Sequence, residues 1–254
     1  MKFLIGLTTS AVVLCLTASA ATYNGNNNTS FGGPIGLGTL SLADNGTTVS
    51  GVITRGNPLT SSFNDSLVIF IDSVSGGFAD TSTFSDAFDG LRKSISGFDG
   101  GGNRSLLTFA TGFRPDYAIA LGPLNASFGG LWQLASGGNT SLQFVSSVNL
   151  IPLGTGISPT YTFSFDLSQI GLTPGTGASF ELFGTYVSDT GNRSGEALPG
   201  DLSGTPGWNP FLETAFGTYT ATIIPEPSTF ALFGLAALVG SVCLRRKKQA
   251  SRDQ

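Results

Sequence analysis

Both cysteines of this chain, Cys15 and Cys243, lie in its terminal apolar segments, so residues 21–224 carry none. No disulfide can staple that stretch, and it must be held together by burial of apolar surface alone. The chain also has no histidine. That excludes His-dependent triads, Cys–His pairs and zinc sites built on imidazole or thiolate ligands.

The apolar residues of this stretch come in short runs with strand character. Residues 39–43 and 47–54 flank Asp44-Asn45-Gly46, a hairpin signal because Asn and Gly tolerate φ > 0. Ser66-Leu67-Val68-Ile69-Phe70-Ile71-Asp72 is a continuous apolar run of strand length, the pattern of a central strand buried on both faces. In Thr160-Tyr161-Thr162-Phe163-Ser164-Phe165-Asp166-Leu167 aromatic and polar residues alternate strictly, which predicts a strand with one wet face. Further strands are expected at 106–110, 116–121, 131–134, 142–145, 179–188 and 215–222. Phe84, Phe88, Leu91 and Ile95 recur at helical spacing and predict a short helix or irregular crossover, weakened by Gly90. Residues 21–35 read as a loose polar lead-in and 189–210 as a long Gly/Pro-rich loop. The sum is an all-β fold: a single β-sandwich or jelly-roll-like domain of about ten strands with at most one short helix.

Both ends carry addresses. Lys2, an apolar run over 3–16 and the A-x-A site Ala18-Ser19-Ala20 read as a signal peptide over 1–20, cut by signal peptidase. At the other end Pro225-Glu226-Pro227 forces extended chain, and Ser228 and Thr229 can cap the apolar helix that follows. Residues 228–244 give about 25 Å of helix, at the short end of what spans a bilayer. Arg245, Arg246, Lys247 and Lys248 then form a basic tail over 245–248 that stays cytoplasmic. The expected layout is a signal peptide (1–20), an exported β domain (21–222) and a C-terminal signal (223–254).

The triplet, the Ser-Thr pair, the short Gly-containing helix and the basic cluster together resemble the PEP-CTERM sorting signal of exported proteins in exopolysaccharide-making bacteria. That resemblance implies an exosortase as partner and makes Pro225, Glu226 and Pro227 a recognition site for it. It also implies an inner-membrane anchor, transient or stable, with the domain outside the cytoplasm and a final place at the cell surface or in the extracellular matrix. Three features of the exported stretch are similar to DOMON-like and family-nine-type carbohydrate-binding sandwiches. These are the Ile71-Asp72 strand end, the segment Pro115-Asp116-Tyr117-Ala118-Ile119, and the pairing of Phe163-Ser164-Phe165 with Phe180-Glu181-Leu182-Phe183. No binding residue is carried over from that likeness.

Residues 21–224 hold 14 Asp and Glu against 6 Lys and Arg, a net of −8, which argues against nucleic acid as a partner. Asp72, Asp80, Asp86 and Asp89 follow a buried strand closely enough to supply oxygen ligands to calcium, or serve as turn and cap residues. Trp208, between Pro206-Gly207 and Asn209-Pro210, is the candidate carbohydrate contact, whereas Trp132 sits in an apolar run and reads as core. Glu181, Glu196 and Glu213 are the glutamates of the exported domain, and their linear spacing suggests no glycosidase pair. Two readings stand. One is a non-catalytic structural or carbohydrate-associating matrix component; the other is a secreted Asp/Glu-dependent glycoside hydrolase, with or without calcium. A groove lined by facing carboxylates favours the second, and a flat surface with exposed Trp208 favours the first.

Replacing Pro225, Glu226 and Pro227 together by alanine is expected to leave the protein in the inner-membrane fraction with its tail uncut. Fractionation and immunoblotting give the readout, and delivery identical to that of the unaltered chain contradicts the assignment.

Overall fold

The computed structural model describes residues 19–56, 64–122, 128–148, 151–152 and 160–225. Among them lie fifteen strands, one α-helix and one 3-10 turn. The first strands are β1 (Ala20–Asn24), β2 (Thr39–Asp44), β3 (Thr48–Thr54) and β4 (Ser66–Asp72), followed by the helix α1 (Gly90–Ser96). Next come β5 (Leu107–Thr108), β6 (Tyr117–Leu121), β7 (Gly129–Gln133), β8 (Gln143–Ser147), β9 (Ile151–Pro152) and β10 (Thr160–Asp166). The last are β11 (Ser179–Val187), β12 (Arg193–Ala197), β13 (Asp201–Gly204), β14 (Phe211–Ala215) and β15 (Gly217–Thr220). The fold is mostly β.

The strands form three sheets. A five-stranded antiparallel sheet runs β1-β2-β3-β10-β9. A larger sheet runs β12-β11-β4-β6-β7-β8, with β15 paired to the first half of β11. A small sheet, β13-β14-β5, contains the parallel pair β14–β5. Leu40, Val49, Ile53, Tyr161, Phe163 and Phe165 of the five-stranded sheet meet Leu67, Ile69, Ile71, Ile119 and Leu182 of the larger one in one apolar cluster. The opposite face of the larger sheet presents Val68, Phe70, Ala118, Trp132, Phe183 and Val187 to a second cluster. Ile95 of α1, Leu107 of β5, Phe211 of β14 and the loop residues Phe84, Phe109 and Phe113 cover that face. Residues 66–71 are therefore buried whichever way their side chains point, which is why β4 needs apolar residues at successive positions. Each fully buried large apolar side chain contributes roughly 1.5–3 kcal/mol by leaving water, and two such layers replace the missing disulfides.

Local signals explain most boundaries. The 45–47 turn joins β2 to β3 with only Gly46 at positive φ (+85°), while the Asn45 side chain accepts from the amides of Thr47 and Thr48. The hairpin forms, with a longer loop than a two-residue turn. The helix is shorter than the spacing of its aromatics suggests. Asp89 caps it by accepting from the Arg92 amide at 2.9 Å, and Gly97 ends it in the left-handed region at φ +62°. Phe84 is thus a buried loop residue, and Phe88 stands 65 % exposed beside the cap.

Two stretches expected to be irregular are ordered. Residues 20–24 form β1, paired in register with β2, instead of opening a loose lead-in. The 31–36 loop is pinned by Glu196, whose buried carboxylate accepts from the amides of Phe31, Gly33, Ile35 and Gly36 at 2.8–3.1 Å. The expected 189–210 loop contains β12 and β13. Its polar residues are polar because they work inside the protein: Arg193, Ser194 and Glu196 are all buried.

A Glu196→Ala substitution leaves four backbone amides without their acceptor. Hydrogen bonds to charged groups are each worth about 1.5–3 kcal/mol, so a loss of at least about 3 kcal/mol in unfolding free energy is expected from denaturant titration, with faster amide exchange over residues 31–36.

Candidate functional site: a carboxylate-lined cavity

β4 ends in Asp72, and antiparallel pairing sets Asp72 directly across from Glu181 of β11. Directly opposed side chains on neighbouring strands sit with β-carbons about 4.5–5.5 Å apart, so two like charges share one spot of the sheet. They line a cavity of about 250 Å³ together with Ser73, Val74, Ser179, Phe180 and Thr218. Asp72 accepts from the Arg114 amide at 2.6 Å, and Asp116 accepts from the amides of Ser73 and Val74 at 3.4 and 3.2 Å. Those bonds shape the rim. Glu181 takes no hydrogen bond from the described residues and is left to face the cavity.

The electrostatics follow from crowding and burial. Burial pushes the Asp72 carboxyl up, an effect the Arg114 amide and charge only partly offset. Burial raises Glu181 as well, and the Asp72 charge raises it further. Asp116 is raised by burial against the pull of its two amide bonds. Glu213 of β14, outside the lining but near enough to feel the Glu181 charge, is 1 % exposed, with one oxygen 3.4 Å from the Ala110 amide and the other without a partner among the described residues. Burial, helped by the Glu181 charge, pushes its carboxyl up to about 8. The arrangement can offer carboxylate acceptors and hydroxyls to a polyhydroxylated ligand, with a buried acid of raised pKa nearby.

The other residues singled out in the sequence are dispersed. Asp80 accepts from the Ser82 amide, and Asp89 caps α1 and pairs with Arg92. Asp86 is buried, 3.4 Å from Nε of Arg92, and accepts from the Leu142 amide. Arg92 is the cation of that cluster. Asp80, Asp86 and Asp89 are not gathered with Asp72 into one site, and among the described residues no three acidic side chains converge as metal ligands. Trp208 is partly buried and stands apart from the cavity lining, while Trp132 is buried under Arg92, whose guanidinium lies 5.6 Å from the ring centre. Ala20 opens β1, and Pro225 is the last described residue. Ala18, Glu226, Pro227, the apolar segment 228–244 and Arg245, Arg246, Lys247 and Lys248 lie outside the described residues. Among the described residues no helix is long and apolar enough to cross a membrane.

Asp44, unremarked in the sequence beyond its place before the turn, joins the β2–β3 turn to the last residues of the domain and, in the uncut chain, to Ser19. It accepts from the amides of Gly46 and Thr222 and from the Tyr219 hydroxyl, while its own amide donates to the Ser19 carbonyl. Burial opposes its charge, but the bonds from Tyr219, Thr222 and Gly46 outweigh it and hold the carboxyl below the ordinary aspartate range. The one linear clue to the cavity is an acid, Glu181, embedded in the apolar strand Phe180-Glu181-Leu182-Phe183.

Glu213 and Asp44 act on stability with opposite signs. The folded chain keeps the Glu213 proton longer than the unfolded chain, so that contribution is complete below about pH 4.5 and is lost as pH rises towards about 8. Glu213→Gln is expected to remove a slope of up to about 1.4 kcal/mol per pH unit over that window, read by denaturant unfolding at several pH values. Asp44, with its lowered value, stabilises above the ordinary aspartate range and loses that contribution on acidification.

No curated protein and no solved structure matches the chain. Residues 224–247, however, match the PEP-CTERM protein-sorting motif, so the chain carries the tail that marks an exported protein for exosortase processing.

Proposed function

We propose that this exosortase-sorted, exported protein is a non-catalytic, carbohydrate-associating component of exopolysaccharide or biofilm, and that the Asp72–Glu181 cavity is its contact site. In this reading signal peptidase removes residues 1–20 and the helix over 228–244 holds the β domain at the inner membrane. The exosortase then passes residues 21–222 to the cell surface or matrix. A facing carboxylate pair is also what a hydrolase needs, but Glu213, the acid that keeps its proton, is almost wholly buried and absent from the cavity lining. The observation that carries the binding reading is that the lining sets two opposed carboxylates among the hydroxyls of Ser73, Ser179 and Thr218. Carboxylates accept from vicinal hydroxyl pairs, and the charge-assisted bonds so formed are the strong ones. The domain's net negative charge turns it away from nucleic acid.

A second reading, an Asp/Glu-dependent glycoside hydrolase, is favoured by the same pair. Two facing carboxyl groups suit glycoside hydrolysis, and a neighbouring acid that stays protonated suits proton donation. Glu213 is almost wholly buried, which weighs against its reaching a glycosidic oxygen.

One experiment separates the two. The full-length chain in detergent is incubated with insoluble exopolysaccharide, and both the pelleted protein and the released reducing ends are measured. Pelleting without reducing ends, lowered about tenfold by Glu181→Gln and by Asp72→Asn, is the expected result, on the scale of one charge-assisted hydrogen bond. Release of reducing ends that disappears in Glu181→Gln establishes the hydrolase instead. Pelleting sensitive only to Trp208→Ala moves the contact to the 205–210 loop, and no pelleting removes the carbohydrate reading.

A further inference from the structure

The residues that lead into the sorting motif are built into the folded domain. The Ala221 amide donates to the Ala178 carbonyl at 2.9 Å, the Thr222 amide to Asp44 at 2.9 Å, and the Ile224 amide to the Gly175 carbonyl at 2.8 Å. Ile223 bridges to Thr176. Glycines at positive φ make the seat. A β-carbon at Gly46 would stand 2.4 Å from Cδ1 of Ile224, and one at Gly177 would stand 2.6 Å from Cγ1 of Ile223. The Gly175 amide donates to the Gly46 carbonyl at 2.7 Å, which ties the two halves of the seat together. The matched motif starts at residue 224, inside this docked stretch, so no linker separates the domain from the sorting signal.

We propose that Ala221–Ile224 is a strap that must lift from its seat before the exosortase can process the motif, and that Asp44 is the positioning residue that keeps it closed. An enzyme that acts on a peptide takes hold of extended chain on both sides of its target, using backbone groups that are free to pair. In the closed strap the amides of residues 221, 222 and 224 are already committed to the domain, and Pro225 has none to give. Opening the strap breaks the three bonds its amides donate and the one the Thr222 hydroxyl accepts from the Ser19 amide, and it leaves the β sheets intact, so it is a local event and not global unfolding. Before opening, Ile224, the first residue of the matched motif, is held to the folded body. Afterwards the chain from residue 221 onward is free to enter a cleft. This inference rests on the sorting motif and not on the polysaccharide reading, and either can fail alone.

The test is pulse-chase processing of the full-length chain in cells that carry the exosortase. One variant inserts Gly-Ser-Gly-Ser between Ile224 and Pro225, which keeps every strap contact but supplies a free linker. The other is Asp44→Asn. Both are expected to be processed at least about threefold faster than the unaltered chain, the insertion because it bypasses opening and Asp44→Asn because its bond to the Thr222 amide falls from charge-assisted to neutral strength. In the doubly altered chain the two gains do not add, because both relieve the same step. Unchanged or slower processing of the insertion variant overturns the proposal, and that variant decides the matter even if Asp44→Asn fails to fold. Additive gains overturn the role assigned to Asp44.

Discussion

Everything in this domain is arranged about the two-faced burial of β4. Its neighbours β11 and β6 pair with it along nearly its whole length, and its side chains alternate between the two apolar clusters. A strand in that position cannot alternate apolar with polar residues, because both faces are interior. The five-stranded sheet closes one side. α1, the small sheet and the aromatic loops close the other. With no cysteine between the terminal segments, these two clusters do the work that disulfides perform in many exported domains.

Buried polar groups supply what apolar packing cannot, namely a single register for the connecting segments. Glu196 gathers four amides of one loop, Asp44 joins the β2–β3 turn to the end of the domain, and Asp86 with Arg92 fixes the approach to α1. Each is an acceptor placed where backbone donors would otherwise be stranded, and such groups are costly to leave unpaired. Arg193, like the second oxygen of Glu213, departs from this. It is wholly buried, its guanidinium nitrogens find no acceptor among the described residues, and burial lowers its pKa to about 9.

The cavity and the strap share one end of the larger sheet. Asp72 ends β4 there, β11 begins there with Ser179, and β15 leads directly into residues 221–224. Strand ends are where acids can collect, since the interior of a doubly covered sheet excludes them. The site and the exit of the sorting tail therefore have a common cause in the topology. The acids sit at the sheet's margin because they cannot sit at its centre, and the chain leaves from the last strand added to that margin.

Much of this was readable in linear form. The period-2 pattern over 160–167, the doubly apolar run of β4, the hairpin at Asp44-Asn45-Gly46 and the tail motif are all local regularities, and local rules are what a sequence states directly. The cysteine and histidine content alone ruled out whole classes of chemistry. Only the tertiary structure decided the rest. Nothing in the spacing of Asp72 and Glu181 places them opposite each other, because that follows from which strands pair and in what register. The order within 20–24 and 189–204 was hidden because polar residues there are satisfied by distant backbone groups, and no window along the chain contains both partners. The docking of residues 221–224 is of the same kind: its seat is made by glycines more than forty positions away along the chain, a contact that exists only once the sheets have closed.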